Sequence, residues 1–117
     1  MATILIVDDE EPVRELVALL LQDGGYRTLQ AIHGAQALEL MAKEHPDLVI
    51  SDVMMPVLGG AELCRRLKAT PETRRIPVIL MSSAGRRLAD STGSDAFLAK
   101  PFDLTELEAL VRRWLPV

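Results

Sequence analysis

Short apolar runs alternate along the chain with longer stretches that repeat at the helical period. Four runs, rich in Ile, Val and Leu, begin at Ile4, Leu48, Val78 and Phe97. Tyr26–Ile32 instead alternates apolar and polar residues, as an edge strand does. Buried strands that alternate with helices are typical of parallel βαβ units. The pattern therefore predicts an α/β fold with a doubly wound, five-stranded parallel sheet covered by helices on both sides.

Helices are predicted between the strands from capping residues and from apolar positions spaced three or four apart. They begin near Glu11 and Pro12, after Gly34, near Gly60 and at Asp103, and the first three end at Gly24, before Pro46 and near Ala69. Asp103 and Glu106 have the spacing of a capping box. The predicted inward residues are Val13, Leu16, Val17 and Leu20; Ala35, Leu38 and Met41 or Ala42; Leu63, Cys64 and Leu67; and Leu104, Leu107, Val111 and Trp114.

The stretch between the fourth and fifth strands departs from this regularity. From Ala84 to Asp95 only Ala84, Leu88 and Ala89 are apolar enough to face a core. At most two helical turns fit there, so we expect a short or irregular fourth helix.

Charged and hydroxyl side chains stand where the apolar runs end. Asp8 and Asp9 follow the first run, and Asp52, Ser82 and Lys100 stand at the ends of three later runs. Ligands bind where parallel strands end, so these side chains are expected to converge at one edge of the sheet. Three carboxylates so close repel one another by several kcal/mol per pair at an effective dielectric of about 20. Lys100 and a hard divalent cation, Mg²⁺ above all, would offset this repulsion.

A carboxylate beside such a cation can attack a phosphoryl group and form an aspartyl phosphate. Asp52 is the better nucleophile, because the pair Asp8 and Asp9 is suited to holding a metal ion and its waters. Each residue alone also has an ordinary structural explanation: a capping turn for the acid pair, a turn residue for Asp52, a backbone-bonded hydroxyl for Ser82 and a solvated loop lysine for Lys100. Their joint placement at four strand ends favours a site.

Length and charge narrow the function classes. A chain of 117 residues is predicted to form one domain spanning 1–117. The net charge of −4 argues against a nucleic-acid surface, and the first apolar run is too short to be a signal peptide or a membrane span. A cytoplasmic location is expected. The single cysteine, Cys64, excludes an internal disulfide and is predicted to be a packed thiol.

The strings ILIVDDEEPVR, PDLVISDVMMPVLGG, IPVILMSS and FLAKPF occur in this order along the chain. With these spacings the chain from Ile4 to Leu115 resembles the response-regulator receiver domain of two-component signalling, of the stand-alone chemotaxis-regulator type. The resemblance implies a flavodoxin-like sheet of strand order 2-1-3-4-5.

The resemblance also implies roles for individual residues. Asp52 would be the phosphoacceptor, and Asp9, Asp52 and the backbone carbonyl of Met54 would coordinate Mg²⁺. Asp8 would act mainly through metal-bound water, whereas Ser82 and Lys100 would contact the phosphoryl oxygens. Phe97 would be an aromatic switch that packs inward when Ser82 moves, or else a plain core aromatic. The Lys100–Pro101 peptide matches a position that is often cis in the family.

The expected function is that of a signalling switch. The chain would accept phosphate from a sensor histidine kinase or a histidine phosphotransfer protein and change its binding to a downstream protein target, as a monomer or weak dimer. It would not be an enzyme beyond autocatalysed phosphoryl transfer and dephosphorylation. One alternative is a docking module of receiver fold that does not use phosphorylation. Another is a Mg²⁺-dependent phosphohydrolase, which usually needs a general acid two residues beyond the nucleophile, where this chain has Met54.

Overall fold

The computed structural model describes residues 1–115. Within that range the strands are β1 (Thr3–Val7), β2 (Arg27–Ala31), β3 (Leu48–Asp52), β4 (Val78–Ser82) and β5 (Ala96–Ala99). The helices are α1 (Glu11–Asp23), α2 (Gly34–Glu44), α3 (Gly60–Ala69) and α4 (Leu104–Trp114). Strands and helices alternate except between β4 and β5, which a 3₁₀ turn at Arg86–Ala89 connects.

The five strands form one parallel sheet of order β2-β1-β3-β4-β5, as predicted. β2 is an edge strand, although it is shorter at both ends than the predicted Tyr26–Ile32. The register pairs Val7 with Ser51 and Ser82 with Ala99. Because the strands are in step, the residues at their carboxyl ends lie along the same edge of the sheet.

Two apolar layers cover the sheet, because successive residues of a strand face opposite sides. One layer joins Leu5, Val49 and Leu80 to α2 and α3, and the other joins Ile6, Ile50 and Met81 to α1 and α4. All six side chains are fully buried. Burial of each contributes about 1.5–3 kcal/mol, so the central strands form a rigid base for the side chains at their ends.

The inward face of α1 differs from the prediction. Leu16 was expected to face the core but is 51% exposed. The buried stripe contains Arg14, Val17, Ala18 and Leu21. Arg14 takes an inward position because its guanidinium bonds to polar groups beneath the helix, and a hydrophobic pattern cannot reveal such a residue.

The faces of the other helices agree more closely with the prediction. In α2, Ala37 and Met41 are buried while Ala42 is exposed. The predicted residues of α3, which are Leu63, Cys64 and Leu67, are all buried. Burial raises the pKa of the Cys64 thiol, as expected for a packed cysteine.

The prediction for α4 is confirmed at its start and along its face. Asp103 accepts a hydrogen bond from the N–H of Thr105, and the Glu106 side chain accepts from the N–H of Asp103 in the capping box. Leu107 and Val111 are fully buried.

The connection between β4 and β5 is irregular, as expected. Its single 3₁₀ turn buries Ala89, whereas Ala84 is exposed; the side chain of Leu88 lies outside the described part of the structure. The end of the connection is anchored by Asp95, whose Oδ2 accepts bonds from Lys68 Nζ at 2.7 Å and from the Val78 N–H at 2.8 Å.

Candidate functional site

Asp8 follows β1 and is fully buried. Its Oδ2 accepts a hydrogen bond from Lys100 Nζ at 2.9 Å, and its Oδ1 accepts from the Glu10 N–H at 2.9 Å. Its backbone carbonyl accepts from Arg14 Nη1 at 2.9 Å, and its N–H donates to the carbonyl of Ala31 at 3.1 Å. Every polar group of Asp8 is bonded, so its carboxylate is held in one orientation.

Asp52 is the last residue of β3 and is 6% exposed. Its Oδ1 lies 3.4 Å from Lys100 Nζ. The start of α3 packs directly against its backbone, because a Cβ at Gly60 would lie 2.1 Å from the Asp52 carbonyl oxygen. Only glycine permits this approach, which places the nucleophile candidate beside the first turn of a helix.

Lys100 follows β5, and its backbone N–H donates to the carbonyl of Ser82 at 3.0 Å. The Lys100–Pro101 peptide is cis, as the resemblance implied. The side chain is only 12% exposed. Its Nζ contacts three carboxylates, with 2.9 Å to Asp8, 3.1 Å to Glu10 and 3.4 Å to Asp52.

Oxygen atoms of Asp8, Glu10 and Asp52 lie within 4.8 Å of one another. They do so because they share one ammonium group, so this trio is the acceptor set of Lys100. Sequence reasoning missed Glu10. Its only sequence signal is its place in the acidic run Asp8–Glu11, of which the sequence analysis interpreted the Asp pair as a site and Glu11 as the start of a helix.

Asp9 lies outside this trio. It is exposed, and its carboxylate accepts no hydrogen bond from the residues that the structure describes. Its charge still acts on the site, since it contributes to a raised pKa of Asp52. Asp9 is thus near the phosphoacceptor candidate but not held by the lysine.

Met54 belongs to the loop of residues 53–59 between β3 and α3, and its side chain is 62% exposed. The loop backbone is tied at both ends. The Val53 N–H donates to the Met81 carbonyl at 2.8 Å, and the Gly60 N–H donates to the Val53 carbonyl at 2.9 Å. The segment that carries the Met54 carbonyl is therefore anchored to β4 and α3.

The tip of the same loop is a tight turn. The Leu58 N–H donates to the Pro56 carbonyl at 2.8 Å, and Val57 between them has φ of 69°. A β-branched residue rarely adopts this left-handed conformation, so the turn is strained. At the start of α2, the Gly34 N–H donates a hydrogen bond to the Leu58 carbonyl at 2.9 Å.

Ser82 and Phe97 lie on β4 and β5, the two strands that follow β3 in the sheet. Ser82 ends β4, is 1% exposed, and its Oγ accepts a hydrogen bond from the Ala84 N–H at 3.0 Å. Phe97 on β5 pairs with Leu80 and packs, half-buried, against the apolar layer of α2 and α3. In this structure the Ser82 hydroxyl is engaged with backbone.

The electrostatics of the site are those of excess negative charge around one ammonium. Burial raises the pKa of Asp52 to about 6; Lys100 opposes this rise, and the charges of Asp8 and Asp9 add to it. Burial lowers the pKa of Lys100, but its bonds to Asp8 and Glu10 and the charge of Asp52 outweigh this, so the net pKa is raised. Lys100 thus stays protonated while Asp52 resists ionisation.

The model of the response regulator receiver domain matches residues 4–112 of this sequence. The chain belongs to this family. A curated relative, sporulation initiation phosphotransferase F of Bacillus subtilis, is 38% identical over 118 residues, which cover 97% of this chain and 94% of that protein. The phosphate regulon transcriptional regulatory protein PhoB of Pseudomonas aeruginosa is 40% identical over 94% of this chain but only 50% of its own length. The receiver domain therefore spans about half the length of several curated relatives.

Among solved structures, the receiver domain of sensor histidine kinase PA1611 from Pseudomonas aeruginosa superposes with a TM-score of 0.91. It is 28% identical, and the match covers 99% of this chain and 98% of that one. That structure has a magnesium ion in its active-site cleft. Among the described helices of the present receiver domain, none is long and apolar enough to cross a membrane.

The donor set of this receiver domain fits a magnesium ion. Three carboxylates, of Asp8, Glu10 and Asp52, surround one ammonium, and the charge of Asp9 also acts on Asp52, so negative charge is in excess. Hard oxygen donors are the ligands that Mg²⁺ prefers. Lys100 lies between three of the acids, whereas the exposed carboxylate of Asp9 accepts no hydrogen bond from the described residues and can turn toward a cation.

Proposed function

We propose that Asp52 is the phosphoacceptor of this receiver domain and takes its phosphoryl group from a phosphohistidine of a sensor histidine kinase or histidine phosphotransfer protein. The observation that supports this most is the contact of Lys100 with both Asp8 and Asp52, 92 and 48 residues away in sequence. A buried ammonium beside a buried carboxylate can neutralise a phosphoryl oxygen placed there.

The proposed reaction is an in-line displacement at phosphorus. A carboxylate oxygen of ionised Asp52 forms the new O–P bond, the P–N bond of the donor breaks, and its electron pair stays on the imidazole, which takes a proton from solvent. Lys100 neutralises one transferring oxygen, and the Ser82 hydroxyl turns from the Ala84 N–H to donate a hydrogen bond to another. A Mg²⁺ ion bound by Asp9, Asp52 and the Met54 carbonyl, with Asp8 acting through water, would neutralise further phosphoryl charge.

Ser82 and Phe97 would convert phosphorylation into a change of surface. When the Ser82 hydroxyl leaves Ala84 for the phosphoryl group, the start of the β4–β5 connection loses a hydrogen bond. Phe97, which is half-buried on the neighbouring strand, is placed to pack further inward. A downstream protein would then recognise the altered face.

Neither alternative gains support from the site. The phosphohydrolase needs a general acid two residues beyond Asp52, and the exposed thioether of Met54 has no acidic proton. The phosphorylation-independent docking module gives no reason for a buried Asp8 and Asp52 around Lys100. The cytoplasmic location expected from the sequence stays a prediction, and fractionation of cells that express the chain would test it.

The test is to incubate the protein with Mg²⁺ and phosphoramidate, a donor with the same P–N bond as phosphohistidine, and to record intact mass. We expect wild type to gain one phosphoryl group in a Mg²⁺-dependent reaction, and Asp52→Asn to gain none. Asp90→Asn is the matched control, because Asp90 is an exposed acid of the β4–β5 connection. Loss of labelling in both variants, or in neither, would exclude Asp52 as the specific acceptor.

A further inference from the structure

The ammonium of Lys100 is shared among three carboxylates. An ammonium carries three N–H groups. Two of them donate hydrogen bonds, to Asp8 Oδ2 at 2.9 Å and to Glu10 Oε1 at 3.1 Å, while Asp52 Oδ1 lies 3.4 Å from Nζ in an ion pair. A phosphoryl group on Asp52 can take the position beside the Asp52 carboxylate, and a second N–H of this lysine becomes available to it only when Asp8 or Glu10 leaves.

The three acceptors differ in how readily they can leave. Asp8 is fully buried and is bonded through both carboxylate oxygens. Asp52 carries the phosphoryl group itself in the proposed function. The side chain of Glu10 is 61% exposed, and its contact with Lys100 is the only hydrogen bond that its carboxylate makes among the described residues.

Release of Glu10 into water costs the least, because water solvates an exposed carboxylate at once, whereas an unpaired buried one has a large desolvation penalty. Glu10 also places a negative charge beside the site that an anionic donor must approach. The hydrogen bond of Glu10 to Lys100 and its negative charge therefore both oppose phosphorylation.

We propose that Glu10 is a positioning residue that holds the ammonium of Lys100 in the unphosphorylated receiver domain and yields it to the phosphoryl group. This inference rests on the proposed function of Asp52 and deepens it. Glu10 thereby slows phosphorylation, while Asp8 keeps the lysine near Asp52, the proposed acceptor.

The test is the initial rate of phosphorylation by acetyl phosphate at saturating Mg²⁺ for wild type and three variants. Glu10→Gln removes the charge and keeps the shape. Glu10→Asp keeps the charge, but its shorter side chain withdraws from Lys100. Glu11→Gln is the matched control, because Glu11 is exposed, is the next residue in sequence and makes no described bond to Lys100.

We expect Glu10→Gln to react about two- to fivefold faster than wild type, the range set by a partly exposed ion pair. Glu10→Asp should also be faster than wild type, and Glu11→Gln should react at the wild-type rate. Circular dichroism and urea unfolding of all four proteins establish that the variants are folded. A merely structural role for Glu10 would make both of its variants slower.

Three results would overturn the inference. Glu10→Gln at or below the wild-type rate shows that Glu10 does not restrain Lys100. If Glu11→Gln reacts as much faster as Glu10→Gln does, the acceleration comes from net charge alone. If Glu10→Asp reacts at the wild-type rate, the acceleration in Glu10→Gln comes from weaker repulsion of the anionic donor and not from the lost hydrogen bond to Lys100. If wild type itself remains unmodified while folded, the proposed function fails and the inference fails with it.

Discussion

Two of the connections that leave the sheet at its carboxyl edge are held in different ways. The β3–α3 loop, residues 53–59, is tied by backbone hydrogen bonds to β4, to α2 and to the start of α3. The β4–β5 connection, residues 83–95, is anchored mainly near its end, by Asp95, while its first part is mostly exposed. The first loop holds the backbone carbonyl of Met54 in a set position, whereas the proposed movement of Ser82 would break one hydrogen bond at the start of the second connection.

The contrast extends to electrostatics. Lys100 beside the first loop is surrounded by three acids in a site with excess negative charge. Lys68 beside the second connection has one acid, Asp95, and two backbone carbonyl acceptors at 3.2 Å and 2.9 Å, those of Arg74 and Ile76. The same pairing of lysine and aspartate thus forms part of the proposed phosphoacceptor site in one region and a structural anchor in the other.

The largest expected effect comes from removing the two lysines separately. Lys100→Met leaves Asp8 buried and unpaired, so we expect the free energy of unfolding at pH 7.5 to fall by about 3–5 kcal/mol. Lys68→Met removes a more exposed contact, so its cost should be about 1–2 kcal/mol. Urea unfolding measures both. Equal losses would mean that the two lysines are equivalent anchors.

The glycines of the two regions give the next effect. Gly60→Ala places a Cβ 2.1 Å from the Asp52 carbonyl oxygen, and we expect a loss of about 3 kcal/mol from overpacking against backbone. Gly85→Ala in the β4–β5 connection meets no atom within 4 Å, so its cost of about 2 kcal/mol comes from the backbone alone, whose φ of 100° and ψ of 167° only glycine readily adopts. A mild Gly60→Ala would show that the start of α3 can shift away from Asp52.

Neutralising one aspartate in each region should change stability in opposite directions. The pKa of Asp52 is raised from 3.8 to about 6 in the folded protein, so stability from its protonated form is present below pH 3.8 and is lost as pH rises through about 6. In Mg²⁺-free buffer at pH 8, Asp52→Asn should therefore be more stable than wild type by about 2 kcal/mol. The difference should shrink toward zero at pH 4.

Asp95→Asn is the counterpart in the second region. It weakens the bonds to Lys68 and to the Val78 N–H, so we expect it to be less stable than wild type by about 1–2 kcal/mol at pH 8. Urea unfolding at both pH values compares the two variants. A destabilising Asp52→Asn at pH 8 would contradict the raised pKa.

The smallest expected effect concerns the strained turn of the first loop. Val57 has φ of 69° and is 78% exposed, so burial of its side chain does not offset the backbone strain. Asn tolerates this conformation far better, and Val57→Asn should raise the free energy of unfolding by about 1 kcal/mol. Thermal unfolding measures it, with Val53→Asn, a buried position of the same loop, as the control that should lose stability. No gain for Val57→Asn would show that the turn is relaxed.

Much of the fold was predictable because the hydrophobic periodicity and the order of the elements along the chain determine it. The apolar runs predicted the strands, and the capping box and inward stripe of α4 were located in advance. Periodicity was wrong on α1, where Leu16 is outside because Arg14 is inside. A buried arginine stabilised by bonds to Gln30 and to the Asp8 carbonyl has no hydrophobic signature.

The amino-acid sequence by itself determined which residues end the strands, and hence that Asp8, Asp52, Ser82 and Lys100 share one edge of a parallel sheet. Only the tertiary structure decided which of the acids the lysine holds. Lys100 contacts Glu10, which the sequence analysis did not single out, whereas Asp9 is exposed. The reason is physical: strand order places backbones, but hydrogen bonds to an ammonium depend on side-chain directions within a few ångströms, and packing around a single turn sets those directions.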